Sequence, residues 1–390
     1  MSSTKICKLS EVITIQNGYA FASKKFTAEE GMPLIRIRDL KNGITTQTKY
    51  SGDYDEAYLV KSGDLLIGMD GEFKCYEWKG SPALLNQRVC RIQNINETFD
   101  LKYLYYGINS YLKAIEDVTG YTTVKHLSSS TILNIEFPIP SLEKQREIVK
   151  KLDSAFTEID LLDDSLVLSE EKANELLHSL LSDSFAYPAV VVEPTITSPK
   201  QSVTVKLVAL KDVVSFEKKQ GSFDLAYVGL EDIESNTGSH LGSLEPRKVK
   251  SNTFAFTSEH LLYGRLRPYL NKVLLPNFDG HCSTEIFPIK VSKDVLREYL
   301  FYWFRLQSTV EAINETSTGA RMPRANMDAV LEFEIPLPPI AKQREIVAKL
   351  DSVFAEIESL KAQISVEKGY VVALRQSLLS SAFTQEETVA

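Results

Sequence analysis

Residues 144–160 of this 390-residue chain read KQREIVKKLDSAFTEID, and residues 342–358 read KQREIVAKLDSVFAEIE. Thirteen of 17 positions are identical at an ungapped offset of 198 residues. Unrelated stretches of that length agree at about one position, so the chain carries an internal duplication. A period of this size is far too long for a solenoid, and each copy is read as a whole domain followed by a helix.

From Ile148 onward apolar residues recur in steps of four and three: Ile148, Leu152, Ala155, Ile159, Leu162, Leu166, then Ala173, Leu176 and Leu180. The same register gives Ile346, Leu350, Val353, Ile357, Leu360, Ile364, Val371, Leu374 and Leu378 in the second copy. This spacing predicts a coiled-coil seam, interrupted by Ser169 and Glu367 at matching places. Each helix follows a proline-rich stop, Pro138 with Pro140 and Pro336 with Pro338 and Pro339, expected to end the preceding strand and preset the first helical turn. A helix over 141–185 would be about 68 Å long at ~1.5 Å per residue. A rod of that length must bury its stripe on another helix. The natural partner is the other copy, as an antiparallel pair with approximate twofold symmetry, and an ordinary helical hairpin within one core is the alternative.

The domains read as mixed α/β. In 1–140, short runs at Leu34–Ile37, Asp64–Ile67 and Gln87–Ile92 alternate with turn-forming clusters. A tyrosine-rich helix over Leu101–Glu116, a Thr119-Gly120 loop and a last strand at Ile132–Phe137 follow. A linker is expected over 186–204. Residues 205–338 repeat the plan with weak identity, so that Leu261-Leu262-Tyr263-Gly264 answers Leu65-Leu66-Ile67-Gly68 and Tyr299-Leu300-Phe301-Tyr302 answers Tyr103-Leu104-Tyr105-Tyr106. The second helix occupies 339–383 and a short tail 384–390. Near-identical helices joined to divergent domains imply one kind of protein partner met twice and two different ligands.

The net charge of −8 is not spread evenly. Both domains are close to neutral, whereas 141–185 holds 11 acidic against 5 basic residues, a solvated face or a surface for a basic partner protein. Neutral domains can still bind DNA where their charges segregate to one face. No apolar run reaches transmembrane length and the start lacks the shape of a signal peptide, so a cytoplasmic protein with no membrane partner is expected. Cys7, Cys75, Cys90 and Cys282 show neither metal-ligand spacing nor a disulfide framework and read as free thiols.

Catalytic patterns are scarce. There is no Asn-Pro-Pro-Tyr methyltransferase motif, glycine-rich cofactor loop or Walker lysine loop, and the five histidines stand apart. Asp53 or Asp64 with Glu72-Phe73-Lys74 matches a nuclease pattern so degenerate that ordinary surface charge is by far the better explanation. No catalytic residue and no metal ligand are assigned, and a binding protein is the better reading. Candidate DNA contacts are Arg36, Arg38, Arg88, Arg91 and Lys125 in the first domain. In the second they are Arg247, Lys248, Arg265, Arg267, Arg321 and Arg324. Arginine can hold guanine O6 and N7 together, while lysine chiefly neutralises phosphate. Gln145, Arg146, Ile148, Leu152, Phe156 and Ile159, with Gln343, Arg344, Ile346, Leu350, Phe354 and Ile357, are the candidate helix–helix and subunit interface. The tyrosine run reads as core, with a ring or two free to stack on DNA.

At Pro138, Pro140, Gln145 and Arg146, and again at Pro336, Pro338, Gln343 and Arg344, the chain resembles the specificity subunit of type I DNA restriction–modification systems. The resemblance covers nearly all of it. The Thr-Gly loops at 119 and 318 look like the family's, although Arg321-Met322-Pro323-Arg324 replaces the usual Ser/Thr-rich run. The resemblance implies two target-recognition domains alternating with two long helices, each domain reading half of a split, asymmetric duplex sequence. It implies no cofactor in this chain. Two adenine-methylating subunits would carry S-adenosylmethionine, and two motor-nuclease subunits would use ATP and Mg²⁺. A stand-alone DNA methyltransferase or nuclease, and a non-catalytic coiled-coil scaffold, are the alternatives.

Overall fold

The computed structural model describes residues 4–119, 126–186, 205–221, 223–319 and 321–389, with side chains to Phe383. Lys125, Gly120, nearly all of the expected linker and the side chains of the tail lie outside the described residues. The chain divides into two compact units, 1–165 with 367–390 and 166–366. Each unit therefore holds one domain and a stretch of both long helices.

In the first unit an antiparallel four-stranded sheet runs in the order Ile13–Asn17, Val89–Asn94, Leu65–Gly68, Cys75–Glu77. A second sheet of short strands contains a parallel pair, Met32–Ile35 with Ala83–Leu85. The second unit repeats the four-stranded sheet strand for strand, whereas its second sheet has four strands where the first unit has five. Its first sheet runs Val214–Phe216, Ile286–Val291, Leu261–Gly264, Val273–Leu274, and its second has the parallel pair Ala226–Val228 with Gly280–Ser283. The fully apolar strands LLIG and LLYG are buried on both faces, as continuous rather than alternating hydrophobicity requires.

The tyrosine-rich helix spans Leu101–Val118, and its counterpart is a shorter helix, Arg297–Phe304, followed by Gln307–Glu315. The expected last strand of the first domain is shifted: Ser129–Leu133 is a short helix and the strand is Glu136–Ile139. Pro138 and Pro336 do not end strands but sit inside them, opposite Ile6 and Leu207. Each of these strands pairs on one side in a two-stranded sheet, and an edge position tolerates the missing N–H.

The long helices run Leu142–Phe185 and Ile340–Val389. Their buried positions depart from the expected seam. On the first helix Ile148, Leu152, Ile159, Leu166 and Ala173 are buried as expected, but then Leu177, Leu181 and Phe185 are chosen, while Leu162 and Leu176 are exposed. On the second, Ile346, Leu350, Ile357, Ile364 and Val371 are buried, and Leu360 and Leu374 are exposed. The adjacent leucines at 176–177 and 180–181 leave the pattern ambiguous. A nearly straight helix drifts by ~20° per heptad, so the buried face moves on by a step of four.

Within the first unit Leu378, Leu379, Ala382 and Phe383 join the core formed by Tyr103, Ile108, Phe137, Ile148 and Leu152. The Phe383 ring lies 5.0 Å from Tyr103 and 5.9 Å from Phe137. Gly107 makes room for it, since a Cβ there would fall 2.5 Å from the ring. In the second unit Phe185 packs 4.8 Å from Tyr299. Leu181 and Phe185 share a core with Ile346, Val347 and Leu350, and Ala173 and Leu177 cluster with Ile357, Val353 and Phe354.

Each domain is welded to the start of its own long helix by the same three side chains. Gln145 is fully buried; its Oε1 accepts from the Asp100 amide at 2.8 Å, and its Nε2 donates to the Pro140 and Thr98 carbonyls at 2.8 and 3.2 Å. Gln343, equally buried, accepts from the Leu296 amide and donates to Pro338 and Asp294, at 2.8, 2.8 and 2.9 Å. The Tyr103 and Tyr299 hydroxyls donate to the Pro138 and Pro336 carbonyls. Those of Tyr106 and Tyr302 donate to Asp153 and Asp351. The two glutamines are thus spent inside their own domains, which corrects their assignment to a subunit interface, while Arg146 and Arg344 are exposed. Tyr106 and Tyr302 fasten the domain to the helix, and Tyr103 and Tyr299 hold the strand that leads into it, so these four rings are not available for stacking on DNA.

Replacing Gln145 by leucine strands one buried N–H and two carbonyls, and an unsatisfied buried group costs about 1–3 kcal/mol. The first unit should lose about 2–4 kcal/mol, read as faster hydrogen exchange at the Asp100 amide and a lower urea midpoint. Unchanged exchange at Asp100 would remove the glutamine from its anchoring role.

Candidate nucleic-acid interface

At corresponding corners of the two domains the sheet ends on a glycine paired with the first residue of the neighbouring strand, Gly68 with Val89 and Gly264 with Ile286. The residues just beyond carry charge. In the first domain the Asp70 carboxylate binds Arg88 Nη1 at 2.7 Å and His126 Nδ1 at 2.8 Å. In the second the Glu285 carboxylate binds Arg265 Nε at 2.9 Å and Arg324 Nε at 3.0 Å. His126 and Arg324 are 198 residues apart, the offset of the duplication. Both corners therefore hold one acid between two bases, but the acid has changed strands: Glu285 stands where the first domain has Arg88.

In the second domain the guanidinium of Arg265 lies 5.5 Å from the Phe287 ring and the Lys218 ammonium 4.3 Å from it, distances at which a cation is attracted to the π face. Arg267 adopts a left-handed backbone, φ 52°, uncommon for a side chain of this size. Its amide donates to the Pro323 carbonyl at 2.7 Å, which brings the 265–270 turn against the 318–325 loop. Arg267, Tyr269, Arg321 and Met322 are exposed there. In the first domain Arg36, Arg38 and Arg88 rim a cleft of about 540 Å³ over Phe21 and Phe26. Arg38 Nη2 has a 3.4 Å contact to Thr48 Oγ1.

Other candidates stand elsewhere. Arg91 is turned into the domain: its side chain is 12% exposed. It is consumed by Asp64 at 2.8 Å, the Leu59 and Ala57 carbonyls at 2.8 and 2.9 Å, and Gln16. That pairing also takes Asp64 out of the degenerate nuclease pattern, and Glu72 pairs with Lys41 at 3.0 Å. Arg247 is exposed with its guanidinium 5.4 Å from the Tyr227 ring, and Lys248 makes a solvent-facing pair with Asp224 at 3.3 Å. Among the described residues no group of three or more His, Cys, Asp or Glu is placed to hold a metal ion. The four cysteines are buried thiols, and burial pushes Cys90 up to about 12, which keeps it protonated and unreactive.

The profile of the type I restriction modification DNA specificity domain matches residues 1–166 and 202–368. The chain belongs to this family. Each matched stretch contains one of the two charged corners. The type I restriction enzyme EcoBI specificity subunit of Escherichia coli is 28% identical, over 97% of this chain and 85% of its own length. The MjaVIII specificity subunit of Methanocaldococcus jannaschii is 21% identical over 86% and 82%. Among solved structures, a chain from a study of assembly and conformational transition of the type I R-M system superposes with a TM-score of 0.74. It is 17% identical and covers 98% of this chain and 97% of its own. The HsdS subunit of Thermoanaerobacter tengcongensis gives 0.53, at 17% identity over 98% and 96%. These likenesses concern the fold.

Within the specificity domains, sequence reasoning found most of the basic groups and missed the acids that hold them, together with His126, Lys218 and Tyr269. Asp70 and Glu285 do not align, so comparing the copies could not reveal their shared role. Arg91→Ala breaks a largely buried charged network and should cost about 3 kcal/mol. Thermal unfolding should register that loss while DNA base preference stays unchanged, and altered preference without destabilisation would restore Arg91 as a reader.

Proposed function

We propose that the chain is the DNA-sequence-specificity subunit of a type I restriction–modification complex. The observation that carries this is the duplication itself. The weld of glutamine and two tyrosines is copied at both domains, while the charged corners have diverged. Each specificity domain reads one half of a bipartite, asymmetric duplex site. The first half is met by the corner bearing Arg36, Arg38 and Arg88, and the second by that bearing Arg265, Arg267, Arg321 and Arg324. The long helices form an antiparallel coiled coil with approximate twofold symmetry that binds two adenine-methylating subunits and sets the spacer. The packing of Ala173 and Leu177 with Ile357, and of Phe185 with Ile346, in opposite senses along the two helices supports that pairing. S-adenosylmethionine, ATP and Mg²⁺ would be held on methyltransferase and motor-nuclease partners in the cytoplasm. Among the described residues no helix is long and apolar enough to cross a membrane.

The leucines that left the expected seam supply the protein-binding surface. Leu162 (48% exposed) and Leu374 (47%) lie in the first unit, and Leu176 (54%) and Leu360 (43%) in the second. The duplication relates Leu162 to Leu360 and Leu176 to Leu374, so each unit offers one leucine from each helix. Fully burying an exposed leucine stabilises by about 1.5–3 kcal/mol; with roughly half of that surface still to cover, a pair supports about ten- to a hundredfold in affinity.

Co-expression with a methyltransferase subunit and mapping of methylated adenines should give one bipartite motif. Purified chain that methylates or cuts DNA by itself would overturn the reading, as would loaded chain with no sequence preference. Leu162→Asp with Leu374→Asp should release one methyltransferase subunit of two, seen by native mass spectrometry; retention of both would move the contact elsewhere. Arg265→Ala with Arg267→Ala should relax only the second half of the motif, and equal loss in both halves would contradict modular reading.

A further inference from the structure

We propose that the arginine-rimmed cleft of the first domain is a binding site for a backbone phosphodiester of the DNA, and that the second domain has no such contact at this corner. The proposal rests on the DNA-reading function above and adds a division of labour between the two domains. The structural correspondence is fixed by main-chain geometry. The Arg36 amide donates to Asp39 Oδ2 at 2.9 Å, and the Gly229 amide donates to Asp232 Oδ2 at 2.7 Å. Ile37 lies against Gly68, and Leu230 against Gly264. Val89 pairs with Gly68 and Ile286 with Gly264. Arg36, Arg38 and Arg88 therefore correspond to Gly229, Glu231 and Glu285.

Three guanidinium groups thus surround a cleft in one domain where the other places a glycine and two carboxylates. Phosphate would be drawn to the first arrangement; in the second, Glu231 and Gly229 supply no cation at the equivalent places and Glu285 already occupies Arg265 and Arg324. Among the described residues Arg36 and Arg38 make no ion pair with a carboxylate, and Arg88 shares Asp70 with His126. A single base edge occupies one arginine fork, whereas three converging cations suit a phosphodiester whose sugar rests on Phe21 and Phe26. The turn that carries Ser23 on the cleft wall adds Lys24 and Lys25 nearby.

The test uses the methyltransferase-loaded chain and a duplex bearing the motif it methylates. Each phosphate contact contributes about 0.9 to the slope of log K against log salt. Arg36→Ala with Arg38→Ala removes one phosphate contact and should lower that slope by about 0.9 and weaken binding without changing the base preferred at any position. Lysine at both places should restore the slope, because phosphate accepts a point charge. Methylphosphonate linkages walked through the first half-site should include one that weakens the native chain but not the alanine variant. An unchanged slope overturns the proposal. So does failure of the lysine variant with altered preference in the first half-site, which would make these arginines base readers. Absence of any methylated motif with the native chain would instead sink the broader function.

Discussion

The junction between each domain and its long helix rests on one buried amide side chain. Gln145 and Gln343 each accept from the amide at the start of the domain's own helix and donate to carbonyls on both sides of the junction. A lone buried amide would be expensive, but here every partner is itself a main-chain group that would otherwise be orphaned. The neighbouring tyrosines add two fastenings to the same helix. Burial and then the Asp153 hydrogen bond push the Tyr106 hydroxyl well above its ordinary range, and burial with Asp351 does the same for Tyr302. Both phenols therefore remain donors at any physiological pH. Because the junction is rigid, a domain's orientation on its helix is fixed by chemistry that both copies share.

That shared chemistry frees the far end of the domain to vary. The corners beyond Gly68 and Gly264 use the same backbone but not the same charges. A carboxylate between two bases locks their directions in both domains, yet it lies just after the strand ending at Gly68 in one and just before the strand starting at Ile286 in the other. A related exchange occurs nearer the helix. In the second unit Arg305 is buried under Phe354, with its guanidinium 4.4 Å from the ring and burial lowering it to about 10. In the first unit the corresponding residue is Asn109, and Phe156 is covered instead by Arg375 at 5.4 Å. Packing demand was met twice by different residues.

The repeat, the long helices and the proline-to-helix junction were legible in the sequence because each is a local pattern sustained over many residues. The identity of the strands LLIG and LLYG was legible for the same reason. What misled was any choice among neighbours of equal hydrophobicity: Leu176 and Leu177 differ only in which face a drifting helix turns inward. Gln145 read as an interface residue because it stands at the start of the repeated helix, and only the fold reveals the carbonyls that enclose it. Arg91 could not be told from Arg88 by type or spacing. One points along the sheet into Asp64 and Gln16 while the other stands at its rim, a distinction made by strand direction alone.

Phe383 sits in the core of the unit that also contains Tyr103 and Phe137, so the first domain is completed by residues translated long after it. At about 5–20 residues per second a ribosome needs roughly 12–50 s to travel from Phe137 to Phe383. During that interval the notch at Gly107 is open. The nascent first domain must keep this apolar notch from other chains, and a prematurely terminated polypeptide never closes it.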